Sequence, residues 1–182
     1  MADTAPSKIS IAIAYWLIPT EPTRSFFEKL IADLARRYDA PVFEPHVTIY
    51  LGSDRSEAGE QIVSQVATVC GPIQLKTLDA QHSSEFTKTL FVQLALNANL
   101  QRLSELIRQR SPRSSHYHLN PHISLLYRRM SLAARRELAR SIRLPFSEVV
   151  FDSVCAVRCA SPTRNRAEVG AWRVIATKSL HE

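Results

Sequence analysis

Hydrophobic and polar positions follow two different periodicities along the chain. Apolar or alternating runs rich in β-branched residues predict strands, whereas apolar residues recurring every three or four positions predict helices. The predicted strands are 9–18, 46–51, 73–80, 90–96, 121–127, 146–157 and 172–177. The predicted helices are 20–38, 53–69, 97–110 and 131–143. Both kinds of element therefore alternate through the whole chain.

Capping and helix-terminating residues help to define the ends of the predicted helices. Thr20 or Thr23 could cap the first helix, Pro41 ends it, and Ser131 is a plausible cap for the last one. Residues 161–168, rich in polar side chains, predict a hairpin loop. Because short turns join several of the strands, we expect an α+β fold with largely antiparallel sheets rather than a doubly wound parallel sheet.

Composition limits the classes of protein to consider. The chain has 182 residues, 45% of them hydrophobic and 22% charged, which is typical of a globular protein and excludes disorder as its main state. We expect residues 1–182 to form a single domain, built from two similar lobes. The formal net charge of +6 favours anionic partners such as nucleotides or RNA without requiring them.

The cysteines and the apolar segments indicate a compartment. Cys70, Cys155 and Cys159 are odd in number and form no Cys-x-x-Cys pair, so neither a disulfide framework nor a zinc site is predicted. The run 9–18 is too short to span a bilayer and lacks the marks of a signal peptide. We therefore expect a cytoplasmic protein with no membrane partner, and nothing predicts more than a monomer.

The most informative feature is a near-duplication. Residues 45–49 read Pro-His-Val-Thr-Ile, and residues 121–125 read Pro-His-Ile-Ser-Leu, with the two histidines 76 positions apart. A single histidine on a strand is usually structural, but two copies of the same pattern on two predicted strands indicate a function. The repeat therefore marks a candidate site shared by the two halves of the chain.

Strand geometry gives the repeat a chemical meaning. Residues two apart on a strand face the same side, so His46 faces with Thr48, and His122 faces with Ser124. If the halves pack symmetrically, both pairs face one cleft. An imidazole titrates near neutral pH, so one neutral histidine can accept a proton from water while a protonated one donates to a leaving oxygen. Hydroxyls can donate hydrogen bonds to phosphate oxygens.

With these motifs the chain resembles the 2H phosphoesterases, which are defined by two His-x-(Thr/Ser)-x motifs. Within that superfamily it is most similar to the small cyclic phosphodiesterases of plants and fungi. The markers, which extend over nearly the whole chain, are 16–19, 45–48, 86–91 and 121–127. The resemblance implies a bilobal fold with two pseudo-symmetric lobes and a central cleft. It also implies two-histidine catalysis that needs no metal or other cofactor.

The same resemblance implies a reaction and its residues. The substrates would be 2′,3′-cyclic nucleotides, opened to 2′-phosphates, and ADP-ribose 1″,2″-cyclic phosphate. His46 and His122 would be catalytic, and Thr48 and Ser124 would bind phosphate. We expect His122 to act as the base for water and His46 as the acid for the leaving oxygen, although the reverse assignment stays open.

Four further side chains are weaker candidates. Trp16, Tyr127 and Phe86 could stack on the base, because an aromatic face accepts any base. Lys88 could approach the phosphate. Core packing or plain solvation is the alternative explanation for each of them, although the place of Tyr127 directly after a catalytic strand favours a position at the site. The histidine pair within 116–118 lacks accompanying carboxylates, so no metal site is predicted there.

Two alternative functions stay open. One is RNA-end processing of the 2′-5′ RNA ligase type, although that type usually has a basic residue near its second motif, where this chain has Leu-Leu-Tyr at 125–127. The other is a non-catalytic nucleotide-binding or RNA-binding module. The sequence leaves open the physiological substrate, the oligomeric state and whether the loop 110–118 contacts ligand.

Overall fold

A computed structural model of the protein describes residues 10–53, 56–112 and 115–181. The strands are β1 (Ser10–Pro19), β2 (Val47–Ser53), β3 (Ile73–His82), β4 (Leu90–Leu94), β5 (His122–Leu126), β6 (Glu148–Ser161) and β7 (Arg173–Ser179). The helices are α1 (Thr23–Tyr38), α2 (Ser56–Ala67), α3 (Ala98–Arg110), α4 (Leu132–Ser141) and α5 (Arg166–Gly170). A short 3₁₀ helix spans Phe86–Lys88.

All strand pairings within the described residues are antiparallel, and they form one sheet in the order β2-β1-β6-β3-β4-β5, with β7 also paired to β6. The long strand β6 joins two parts of this sheet. On one edge it pairs with β1 along most of its length, and on the other it pairs first with β3 and then with β7. The expected α+β fold with antiparallel strands is confirmed.

The main core lies between the sheet and helices α1 to α4. Val47 and Ile49 on β2, and Ile123 and Leu125 on β5, are fully buried in it. Each such side chain stabilises the fold by about 1.5–3 kcal/mol relative to an exposed position. These are the apolar positions of the two repeated motifs, so one side of each motif strand anchors the strand in the core. Their neighbours in sequence face the other way.

Helix capping differs from the sequence prediction in two places. Neither Thr20 nor Thr23 caps α1 through its side chain; instead the Thr23 hydroxyl donates to the backbone oxygen of Thr20 at 2.8 Å. The predicted hairpin loop 161–168 contains the start of α5, because Asn165 caps that helix by accepting from the backbone N–H of Glu168. The predicted cap Ser131 is confirmed, since its hydroxyl accepts a backbone N–H of the first turn of α4.

All three cysteines are free thiols, as the sequence predicted. Cys155 and Cys159 are buried on β6, and desolvation raises the pKa of Cys155 to about 12 and that of Cys159 to about 11. Both thiols are therefore protonated and unreactive near neutral pH. Separately, no helix in the described ranges has the length and apolar character needed to cross a membrane.

Candidate active site

Both repeated motifs line one cleft of about 480 Å³. His46 stands immediately before β2, and His122 is the first residue of β5. These strands lie at opposite ends of the sheet order, yet they contact one another. The sheet is therefore curved enough to bring its two outermost strands together, and the cleft forms where they meet.

The alternation predicted from the sequence is the arrangement found. His46, Thr48, His122 and Ser124 all line the cleft, while the intervening apolar residues are buried in the core. The motif therefore presents an imidazole and a hydroxyl from each side of the cleft.

The backbone orients both histidines in the same way. The Nδ1 of His46 lies 2.6 Å from the backbone oxygen of Glu44, and that of His122 lies 2.7 Å from the backbone oxygen of Asn120. A carbonyl oxygen can only accept, so we infer that each Nδ1 carries the proton and that each Nε2 is free to act as base. The proline between carbonyl and histidine restricts the preceding residue to extended backbone, which is how this short motif sets the carbonyl's direction.

His46 is packed among aromatic rings. Trp16 stacks on it with ring centroids 3.7 Å apart and planes 14° from parallel. Trp172 and Phe43 meet it edge-on, with their ring centroids 6.1 and 6.4 Å from that of His46. Only 7% of the residue is exposed. This desolvation lowers the pKa of His46 to about 4, helped by the nearby His122 and opposed by the bond to Glu44.

His122 stands in a more open and more charged setting. Its ring and that of Phe91 meet edge-on with their centroids 5.3 Å apart. The ammonium of Lys88 lies over the same Phe91 ring, 4.5 Å from its centroid. Desolvation lowers the pKa of His122 to about 4; the bond to Asn120 opposes this, and the positive charge of Lys88 adds to it. Both imidazoles are therefore neutral at pH 7 in the free protein.

The two hydroxyls differ in their present contacts. The Ser124 hydroxyl donates to the backbone oxygen of Thr87 at 2.8 Å, so it has to turn away from that carbonyl before it can donate to a ligand. Thr48 lines the cleft, and its backbone oxygen is held by the hydroxyl of Tyr117 at 2.8 Å. Tyr117 lies in the loop 110–118, which the sequence left open as a ligand contact.

The weaker candidates divide into two groups. Trp16, Tyr127 and Lys88 line the cleft, but one face of Trp16 is covered by His46, and Tyr127 is buried and stacked on Phe43 at 3.7 Å. Phe86 is not among the cleft-lining residues of the described chain; it packs beside Tyr127 instead, with ring centroids 5.9 Å apart. Phe86 therefore contributes to the wall behind the cleft.

Sequence reasoning missed Trp172. This half-buried side chain lines the cleft, donates from Nε1 to the Thr163 hydroxyl at 3.3 Å, and meets Trp16 edge-on at 5.2 Å. Its position just before the last strand gave no motif or periodicity to follow. His118, the last residue of the loop 110–118 that the sequence left open as a ligand contact, also lines the cleft.

Among the described residues, no group of three or more His, Cys, Asp or Glu side chains lies close enough to hold a metal ion.

The chain matches the family described as "Cyclic phosphodiesterase-like protein" over residues 11–176. This protein therefore belongs to the cyclic phosphodiesterase-like family, within the 2H phosphoesterase superfamily. Comparison with curated sequences finds no significant match.

Solved structures share the fold at low sequence identity. E. coli LigT complexed with 3′-AMP is 13% identical, with a TM-score of 0.55, over 94% of this chain and 99% of LigT. TT0787 of Thermus thermophilus is 16% identical, with a TM-score of 0.57, over 93% of this chain and 97% of its own. At these identities the likeness concerns the fold alone.

Proposed function

We propose that the protein is a metal-independent cyclic phosphodiesterase acting on 2′,3′-cyclic nucleotides, giving 2′-phosphates, and on ADP-ribose 1″,2″-cyclic phosphate. The observation that carries this proposal is the pairing of His46 and His122 across one cleft, each with Nδ1 held by a carbonyl and Nε2 free. Family membership supports a phosphodiester substrate, and the 3′-AMP complex of LigT supports a nucleotide one.

In the proposed reaction, His122 Nε2 removes a proton from water as the water oxygen attacks phosphorus. The bond between phosphorus and O3′ breaks, and protonated His46 gives its proton to O3′, which leaves as a hydroxyl. The phosphate stays on O2′. The proton taken up by His122 then returns to solvent or to His46, so the site is restored and the net change is the addition of one water.

The environments of the two histidines support this assignment. Lys88 places its positive charge near His122, which disfavours a second positive charge there and keeps that imidazole neutral. In the free protein the low pKa of His46 also disfavours its protonation. The negative charge of a bound cyclic phosphate offsets that penalty, so substrate and proton enter the site together. Since the two imidazoles repel each other when charged, the site holds one proton rather than two.

The other cleft residues have supporting roles in this proposal. Thr48 and Ser124 donate hydrogen bonds to the non-bridging oxygens, where charge accumulates during attack. Trp16 holds the ring of His46 by stacking on it. Lys88 lies on the His122 side of the cleft. Tyr127, with Phe86 packed behind it, stacks on Phe43 and meets Trp172, next to the rings that surround His46.

We also propose that residues 1–182 act as one domain whose two parts each contribute one motif. We propose that the protein is cytoplasmic, which is supported by the three unbridged thiols, and that it is a monomer.

The test is hydrolysis of the four 2′,3′-cyclic nucleotides in the presence of EDTA, with 2′- and 3′-phosphate products separated. We expect the wild type to give 2′-phosphates, and His46→Ala and His122→Ala each to lower kcat by about 10²–10⁴-fold. His116→Ala is the matched control, because His116 is exposed and outside the cleft lining.

Four outcomes would overturn the proposal. A wild type that is inactive with EDTA contradicts the metal-independent reaction. Histidine variants that keep full activity contradict the two-histidine mechanism. Activity restricted to RNA that ends in a cyclic phosphate would indicate an RNA-end processing enzyme. Binding of nucleotides without any turnover would indicate a non-catalytic binding module.

A further inference from the structure

A second groove, of about 560 Å³, lies between β3 and α4 on the opposite side of the sheet from the cleft. His82 pairs with Leu90, which is buried in the core beneath the helices, whereas the adjacent Phe91 pairs with Ser124 on the cleft side. Cross-strand partners share a face of the sheet. His82 therefore faces α4, and the groove is separated from the cleft by the sheet itself.

Arginines line the helix side of this groove. Arg136 and Arg140 are exposed and four residues apart on α4, so they lie on one face, about 6 Å apart along the helix axis. Arg143 continues the row just beyond the helix end, where its guanidinium donates to the backbone oxygens of Arg140 and Ile142 at 2.5 and 2.9 Å. The three arginines thus follow one another along α4 and its C-terminal end.

The positive charge of this row is not balanced locally. Asp79 is the acidic residue among those lining the groove, against three arginines. Within the described ranges, no ion pair joins Arg136 or Arg140 to a carboxylate. The Nδ1 of His82 is buried and has no hydrogen-bond partner there either. The groove therefore offers two exposed guanidinium groups, those of Arg136 and Arg140, that have no carboxylate partner among the described residues.

We propose that this groove binds a single-stranded polynucleotide through its phosphates, as a second site separate from the cleft. Guanidinium groups suit phosphate because their N–H groups match its oxygens in pairs. One phosphate would engage one or two of these groups, whereas a row along a helix fits successive phosphates. The proposal does not depend on the hydrolytic activity, since the bound strand need not be the substrate.

The test is fluorescence anisotropy of a labelled single-stranded oligoribonucleotide that ends in a 3′-hydroxyl, titrated with the full chain between about 50 and 200 mM salt. The test variant is Arg136→Gln/Arg140→Gln. The matched control is Arg36→Gln/Arg102→Gln, which removes the same charge from exposed positions on α1 and α3.

We expect the wild type to bind with salt-dependent affinity. The test variant should bind more weakly and should lower the slope of log K against log salt by about 1.4, which is about 0.7 for each lost phosphate contact. The control variant should retain the wild-type slope. Thermal unfolding and hydrolysis of a 2′,3′-cyclic mononucleotide should be the same for all three proteins, which separates this proposal from the proposed function.

Several results would overturn it. An equal loss of affinity for the oligoribonucleotide in the test and control variants would mean that net charge alone attracts the strand. Competition by excess 2′-AMP would place the strand in the cleft. Shifts of the His82 ring resonances with inorganic phosphate, without any anisotropy change for the oligoribonucleotide, would show a site for small phosphates only. Absence of binding at every salt concentration would remove the site altogether.

Discussion

The two sides of the cleft carry the same motif in different surroundings. Each histidine has its Nδ1 held by the carbonyl two residues earlier, across a proline. His46 is then enclosed by aromatic rings, whereas His122 lies in a more open wall beside a lysine. The repeated pattern therefore determines tautomer and direction on both sides, while residues outside the pattern determine how readily each ring takes a proton.

This difference matters because acid and base need opposite starting states. The base has to be neutral and the acid has to be charged when the reaction begins. Lys88 disfavours a positive charge on His122, and this difference between the two sides supports His46 as the acid in the proposed reaction. The duplicated motif alone is symmetric, so the assignment of roles depends on the unequal surroundings.

The largest effect on kcat should come from a substrate whose leaving group needs no proton from an acid. In a substrate whose bridging O3′ is replaced by sulfur, the leaving thiolate needs no proton, because thiols ionise near pH 8.5 whereas alcohols do not ionise in water. We expect His46→Ala to lose about 10²–10⁴-fold on the oxygen substrate and to regain most of that loss on the sulfur one. His122→Ala should lose a similar factor on both substrates, as measured by kcat.

The control for this comparison is the wild type on both substrates, which sets the intrinsic advantage of sulfur. If His122→Ala is the variant that sulfur rescues, the two roles are exchanged. If sulfur rescues neither variant, departure of the leaving group is not the step that either histidine assists.

The second effect concerns the aromatic wall of His46. Trp16→Ala should destabilise the fold by about 3–5 kcal/mol, because it empties a buried site beside the histidine. Trp16→Phe keeps part of the stacking and should cost less. By admitting water, both changes should raise the pKa of His46 toward its ordinary value, as read from ring resonances in an NMR titration. The half-buried Trp172, changed to Phe, is the control, and an equal loss of stability there would contradict a special role for Trp16.

Much of this arrangement could be predicted from local sequence rules, and the rest could not. Strand periodicity gave the facing of the two motifs and the antiparallel α+β class. The meeting of β2 and β5 depends on sheet curvature, which arises from packing across the whole sheet rather than from either motif. For the same reason Trp172 was missed: it reaches the cleft through a short helix and a turn that follow β6.

The third prediction uses pH to separate the two sides. The folded protein keeps His46 neutral down to a pKa of about 4, whereas the unfolded chain takes up a proton near pH 6.5. The free energy of unfolding should therefore fall as the pH drops from 6.5 toward 4 and be unaffected by this group above that range. The contribution of His46 is on the order of 3 kcal/mol.

His46→Gln should flatten this pH dependence, as measured by chemical denaturation at pH 7, 6 and 5. His122→Gln should flatten it less, because that ring is more exposed and solvent screens its charge. His116→Gln, at an exposed position, serves as the control. A pH dependence that survives in His46→Gln would show that burial of this ring does not set the acid sensitivity of the fold.

The smallest effect should come from Lys88, which is the charged difference between the two sides. Lys88→Gln removes the positive charge beside His122 and should raise the pKa of His122, while that of His46 changes less. At a partly exposed site such a charge is worth about 0.2–1 kcal/mol, so we expect kcat/KM to fall by no more than about 5-fold. NMR titration of both rings measures the first effect, and Lys29→Gln on α1 is the control for charge. Equal changes in both histidines would mean that Lys88 acts on the cleft as a whole and does not distinguish acid from base.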